Sequence, residues 1–187
     1  MDIFEEFRKV VRALDEAGIP YAVVGAFAVA IHGVPRATTD IDLLVLSDDV
    51  DRALGAVKPI EFVLTAGRMW FHDGMEIRRV TKAEGTETVT LDLLIVDVNT
   101  REAWESRHRA KSEWGEIRVI GREELMQMKV AAGRPRDIDD VLRLNGRVHL
   151  RKDADRAYER IRQVGFKVVN LDLIVGLPGE TGGSVDR

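Results

Sequence analysis

The chain has 187 residues, with 28 Lys plus Arg against 32 Asp plus Glu, a formal charge of −4 and no cysteine. That length suits one compact α/β domain with a real core and a small appendage. The charge excludes an overall basic field for coating nucleic acid, and the missing cysteines exclude disulfides, thiolate metal sites and iron–sulfur clusters. No apolar run approaches the roughly 20 residues needed to span a bilayer, and the acidic start Met1-Asp2-Ile3-Phe4-Glu5-Glu6 lacks a signal-peptide pattern. The expectation is a cytoplasmic protein without a membrane partner.

In chain order, Ile3, Phe4, Phe7, Val10, Val11, Leu14 and Ala17 recur at helical spacing, and Gly18 ends that helix. Tyr21 to Val24 reads as a short buried strand. Gly25 opens a small-residue helix through His32, closed by Gly33 and Pro35. Residues 41–46 are nearly all aliphatic and predict a central strand covered on both faces, and Ser47 with Asp48 and Asp49 starts a helix to about Val57. Residues 62–64 and 69–71 read as two strands, Asp73-Gly74 as a hairpin turn leading into a strand from 75 to 80, and 83–87 as a polar loop. Residues 88–96 form a second strong strand, with Asp92 inside it. Thr100 caps a helix expected to run to about Lys111. A short strand at 117–120, helices at 123–132, 136–144 and 153–164, and a last strand at 168–175 complete the reading.

The chemistry centres on Arg36-Ala37-Thr38-Thr39-Asp40-Ile41-Asp42. Two residues apart on a strand, Asp40 and Asp42 share a face, and oxygen-only ligands suit a hard ion, Mg²⁺ or Mn²⁺. A helix beginning at Gly25 offers backbone N–H groups to an anion, and a glycine permits close approach of a phosphate. If the strand carrying Asp92 lies beside that of Asp40 and Asp42, the third carboxylate completes a cage of the kind used in two-metal phosphoryl chemistry. Isolated, Asp-x-Asp is more often a surface pair at a strand start. Thr38 and Thr39 are also explained by turn chemistry. His32 fits a helix-end residue, and Trp104 beside Arg107, His108, Arg109 and Lys111 fits a solvated face anchored in the core.

Val24-Gly25-Ala26, His32-Gly33, Arg36, Thr38 and Asp40-Ile41-Asp42, followed by Asp92 and by Lys129, Arg134, Asp137 and Asp140, resemble the motif series of the DNA polymerase beta–type nucleotidyltransferase superfamily. The match is to its minimal branch, the toxin–antitoxin and abortive-infection proteins, over roughly residues 1–147. The resemblance implies an α/β (α+β) fold with a small mixed sheet and helices mainly on one face. It also implies Mg²⁺-dependent transfer of a nucleotidyl group from a nucleoside triphosphate to a hydroxyl on a tRNA end, a protein such as a partner toxin or antitoxin, or a small molecule. By the same resemblance Asp40, Asp42 and Asp92 hold the metals and carry catalysis, and Gly25, Ala26, Arg36, Thr38, Lys129 and Arg134 bind the nucleotide. Ala26 departs from the family's Gly or Ser and removes a hydroxyl donor, which leaves a catalytically weak binding module as the alternative function. A solvated Lys129, or a local ion pair of Arg134 with Asp137, accounts for those residues as well. Residues 148–187 are expected to form a helix–strand appendage. Within it, 164–181 resemble a segment of radical S-adenosylmethionine enzymes of the coproporphyrinogen-oxidase type, without the cysteines that such chemistry needs.

Overall fold

The computed structural model describes residues 1–34, 36–70 and 74–146. Asp73 of the expected Asp73-Gly74 turn and the whole of 148–187 lie outside the described residues. By contacts the chain falls into two compact units, Met1–Leu125 and Met126–Arg187. The described residues contain a mixed sheet of seven strands and six α-helices.

The first unit is built around the sheet. Strands β1 (Ala22–Val23), β2 (Asp40–Val45), β3 (Leu64–Trp70), β4 (Glu76–Glu84), β5 (Glu87–Ile95), β6 (His108–Ser112) and β7 (Gly115–Val119) lie in the order β3-β4-β5-β2-β1-β7-β6. β2 and β5 run parallel in the middle. Their alternate residues Ile41, Leu43, Leu91 and Leu93 are fully buried, as a sheet strand covered by other elements requires. β3–β4, β4–β5, β1–β2 and β6–β7 are antiparallel, and β1 meets β7 in parallel at Val23 and Val119.

Helix α1 (Ile3–Glu16) starts with the Asp2 side chain accepting from the Phe4 N–H at 2.9 Å, and Gly18 follows it at φ +63°. It buries Phe7, Val10, Val11 and Leu14. Phe7 stacks on Phe27 of α2 (Gly25–Ile31) at 4.0 Å between ring centroids, and Trp114 packs edge-on against both. These aromatic contacts add to the area burial of the rings. α3 (Val50–Val57) follows a single 3₁₀ turn, Ser47–Asp49, and Ser47 makes no side-chain cap.

Two expected elements differ. Where two strands are expected, at 62–64 and 69–71, the described residues hold one, β3, with a bulge between Thr65 and Arg68, where Gly67 adopts φ +75°; residue 71 lies outside the described residues. An edge strand accommodates such an extra residue because only one side of it must stay in register. The helix after Thr100 stops early. α4 is Arg101–Glu105 only, and His108–Ser112 then forms β6 in a hairpin with β7. Local charge and cap signals suggest a long helix there, but a turn at Glu113 and Trp114, followed by Gly115 at φ +110°, folds these residues back onto β7 and gives them sheet partners instead. Thr100 is the N-cap residue of α4, as expected, but its side chain makes no cap hydrogen bond. Its hydroxyl accepts from the Asp97 N–H and donates to the Asp97 carboxylate, at 2.9 and 2.8 Å. Trp104 is buried, and Arg107 lies 3.9 Å over its ring, so the indole is a core anchor. Among the described residues no helix is long and apolar enough to cross a membrane.

In the second unit α5, which begins in the first (Arg122–Ala132), is followed by Gly133 at φ +65° and then by α6 (Pro135–Leu144). Pro135 at the first turn costs α6 no hydrogen bond, because that N–H would lack an intrahelical partner.

Candidate active site

The carboxylates sit where sheet periodicity puts them. β2 and β5 pair residue for residue, Asp40 opposite Thr90 and Asp42 opposite Asp92. Directly paired residues on neighbouring strands share a face and lie about 4.8 Å apart, so Asp42 and Asp92 stand side by side with Asp40 one step along. Asp40 is exposed, Asp42 partly exposed and Asp92 buried. Thr38 donates its hydroxyl to the Asp40 carbonyl and accepts from the Asp40 N–H, both at 3.3 Å, and the Thr39 hydroxyl donates to the Asp40 carboxylate at 3.3 Å. These threonines thus fasten the start of β2, as local turn chemistry does.

Gly25 lies against Asp42 in this row. The Val24 N–H donates to the Asp42 carbonyl at 3.0 Å, which draws the start of α2 onto β2. Gly25 has φ +62°, and a β-carbon there would lie 2.0 Å from Asp42 Oδ2 and 2.7 Å from its Cγ. Glycine is therefore demanded twice, by backbone conformation and by the Asp42 carboxylate that occupies the space of its missing side chain. The Ala26 side chain is buried. Arg36 is half-buried. His32 ends α2 and its Nε2 lies 2.9 Å from the Ile120 carbonyl. Burial pushes its pKa down against that hydrogen bond, so this histidine ties α2 to the end of β7 through its ring.

One residue escaped the sequence reading. Arg79 on β4 stands opposite Asp92. Its Nε donates to Asp92 Oδ1 at 2.8 Å and its Nη2 to Oδ2 at 2.7 Å, a forked contact of the strong, charge-assisted kind. The hydrogen bonds to Asp92 raise the Arg79 pKa against burial, and the charges of Asp92, Asp40 and Asp42 add to the rise. The row across the sheet is therefore Asp42, Asp92, Arg79. Among the described residues no three His, Asp or Glu side chains form a set placed to hold a metal ion. The donors that suit a hard cation are nevertheless present. Asp40 and Asp42 are oxygen-only donors, and both oxygens of Asp92 accept from Arg79.

The Lys129–Arg134 segment forms its own cluster within the second unit. Lys129 Nζ lies 2.9 Å from both Asp137 Oδ1 and Asp140 Oδ2, and Arg134 Nε donates to Asp137 Oδ2 at 2.5 Å. Lys129, Asp137 and Asp140 are all buried. Burial alone would raise the Asp137 carboxyl, but hydrogen bonds from Arg134 and Lys129 outweigh it and hold it below its ordinary range. The local ion pair that explained Arg134 and Asp137 is present, and Lys129 is not a solvated helix position.

The solved structures similar to this chain share a nucleotidyltransferase fold. A Thermotoga maritima protein solved as a candidate nucleotidyltransferase, TM1012, matches with a TM-score of 0.52 at 16% identity, over 83% of this chain and 90% of that one. The antibiotic-resistance enzyme ANT(2″)-Ia, solved with adenylyl-2″-tobramycin, matches with 0.53 at 16% identity, over 86% and 98%. The lincosamide adenylyltransferase LnuA, solved with lincomycin bound, matches with 0.54 at 12% identity, over 77% and 97%. The chain itself belongs to the family described as nucleotidyl transferase of unknown function (DUF2204), whose model matches residues 3–171. Separately, a 43-residue stretch is 51% identical to the heme chaperone HemW of Bacillus subtilis (strain 168), covering 23% of this chain and 11% of that protein. The chain spans about a tenth of HemW's length, and so short an overlap carries none of that protein's activity here.

Proposed function

We propose that this family member transfers a nucleoside monophosphate from a nucleoside triphosphate to a hydroxyl, using a divalent cation, Mg²⁺ or Mn²⁺, held by Asp40 and Asp42. The observation that carries the reading is the in-register row of Asp42 and Asp92 on two parallel strands, with Asp40 beside it and Gly25 leaving room for Asp42 alone. Such an ion offsets the charge of the triphosphate and lowers the barrier to attack at the α-phosphorus. In the reaction the acceptor oxygen bonds to the α-phosphorus and the bond to the pyrophosphate oxygen breaks. Asp92 is the carboxylate proposed to take the hydroxyl proton. Gly25 keeps the Asp42 carboxylate seated, and Thr38 and Thr39 hold the end of the strand that presents Asp40. A small-molecule hydroxyl is the first acceptor to test, because ANT(2″)-Ia was solved with adenylyl-2″-tobramycin and LnuA is described as a lincosamide antibiotic adenylyltransferase. An RNA end and a protein hydroxyl, as in a toxin–antitoxin pair, follow it.

A second reading, a binding module of nucleotidyltransferase fold, is favoured by the Arg79 fork on Asp92 and by the absence of a hydroxyl at Ala26. Incubation with each α-labelled nucleoside triphosphate, Mg²⁺, an aminoglycoside and lincosamide panel, total RNA and cell lysate separates the two. Transfer that disappears in Asp42→Ala is expected. Nucleotide binding with no label transferred to any acceptor would favour the module.

A further inference from the structure

Asp92 stands where a third ligand of the proposed cation site would stand, yet its carboxylate is already engaged. The forked contact with Arg79 uses both carboxylate oxygens at 2.7 and 2.8 Å. It is built by strand register, because Arg79 and Asp92 are directly opposed on antiparallel strands. Asp92 is 4% exposed, so water cannot readily replace the guanidinium, whereas the Arg79 side chain remains 38% exposed along its outer edge. A guanidinium does not lose its proton to make room. A divalent ion bound to Asp92 would have to break two charge-assisted bonds and settle beside an obligatory positive charge, in a partly buried place where such repulsion is weakly screened.

We infer that Arg79 withholds Asp92 from metal coordination, so that the chain binds one divalent ion on Asp40 and Asp42 while Arg79 supplies the fixed positive charge that a second ion would have brought. This rests on the reading that Asp40 and Asp42 bind a divalent cation. Arg79 is accordingly a positioning residue: it acts on the reaction through Asp92, which it orients.

The test is a titration of the full chain with Mn²⁺ alone, with the free ion read by its paramagnetic resonance signal. Wild type is expected to take up one Mn²⁺ per chain and Asp42→Ala none. Arg79→Met is expected to take up two, the second being lost again in Arg79→Met/Asp92→Asn. Because removing Arg79 leaves a buried carboxylate unpaired, Arg79→Gln serves as a second variant. Its amide keeps an N–H donor for Asp92 but carries no charge, so it too should admit a second ion. Thermal melts identify the folded variants. Two ions on wild type overturn the inference. So does a single ion on both folded Arg79 variants, and in that case Asp42-dependent binding of the first ion leaves the nucleotidyltransferase reading standing. No Mn²⁺ on wild type overturns both.

Discussion

Gly25→Ala is expected to lower nucleotidyl transfer by about 100-fold or more while lowering the melting temperature by only a few degrees. The added β-carbon would sit 2.0 Å from Asp42 Oδ2 and 2.9 Å from Asp42 Cβ, and a contact so short forces the carboxylate to move. Misplacing a reacting or ligating group by about 1 Å typically costs on the order of 100-fold in rate. The backbone contribution is separable, since placing a non-glycine residue in the left-handed region costs roughly 1–2 kcal/mol. Gly18 is the matched control. Its φ is +63° against +62° for Gly25, and a β-carbon there meets nothing within 4 Å. Gly18→Ala should therefore show a comparable drop in melting temperature with unchanged transfer and unchanged Mn²⁺ uptake. Transfer rates, Mn²⁺ uptake and melting curves for the two variants side by side decide the matter. Wild-type transfer by Gly25→Ala would mean that the seating of Asp42 against α2 is not needed for the reaction.

The second large effect is expected in the α5–α6 segment, where Lys129→Met should destabilise the local structure by about 3–5 kcal/mol, the usual consequence of removing one partner from a buried ion cluster. Lys129 faces two aspartates at 2.9 Å, and both are almost fully buried. Its loss leaves Asp140 without that cation and Asp137 with Arg134 alone of the two. Most of the cost is the weakened pairing of two buried carboxylates. The triple replacement Lys129→Met/Asp137→Leu/Asp140→Leu should then recover most of it, because apolar residues of similar volume often replace buried ion clusters without loss. Amide hydrogen exchange across 126–146 reads both variants. A Lys129→Met protein with wild-type protection there would contradict the buried cluster.

The same cluster sets a pH dependence. The folded-state pKa of Asp137 is held below its ordinary value of 3.8. A carboxyl with a depressed folded pKa contributes stability that is fully present above its unfolded pKa and lost as pH falls through the folded one. Protection of 126–146 should therefore hold above about pH 4 and fall progressively below it, and the fall should be shallower in Asp137→Asn. Equal acid sensitivity in the two proteins would assign the effect to other groups.

Much of this site was legible in the chain because it depends on short spacings. Asp40 and Asp42 share a face by the period-two rule alone, Gly25 announces a tight approach by its type and place, and the aliphatic runs around Ile41 and Leu91 mark the central strands. Arg79 was not seen, although its signal was there. Reading 83–87 as a loop discarded the register. The observed turn is tight, with Glu84 paired to Glu87 across Gly85 at φ +60°, and each step inward from that pair brings Arg79 opposite Asp92. A two-residue glycine turn is a register signal, and a one-residue error in it would have turned the side chains of one strand to the other face.

What the sequence by itself determined is the set of elements whose period and punctuation are local: α1 with its Gly18 stop, the apolar strands β2 and β5, and the pair of carboxylates on one face. Only the tertiary structure decided which strands become neighbours. That choice places Asp92 beside Asp42, gives it Arg79 as a partner, and converts residues 108–112 from an expected helix into an edge strand. Each depends on contacts between residues far apart in the chain or on an exact register. Their energies are set by burial and by the pairing of charges brought together, and local propensity carries no record of them.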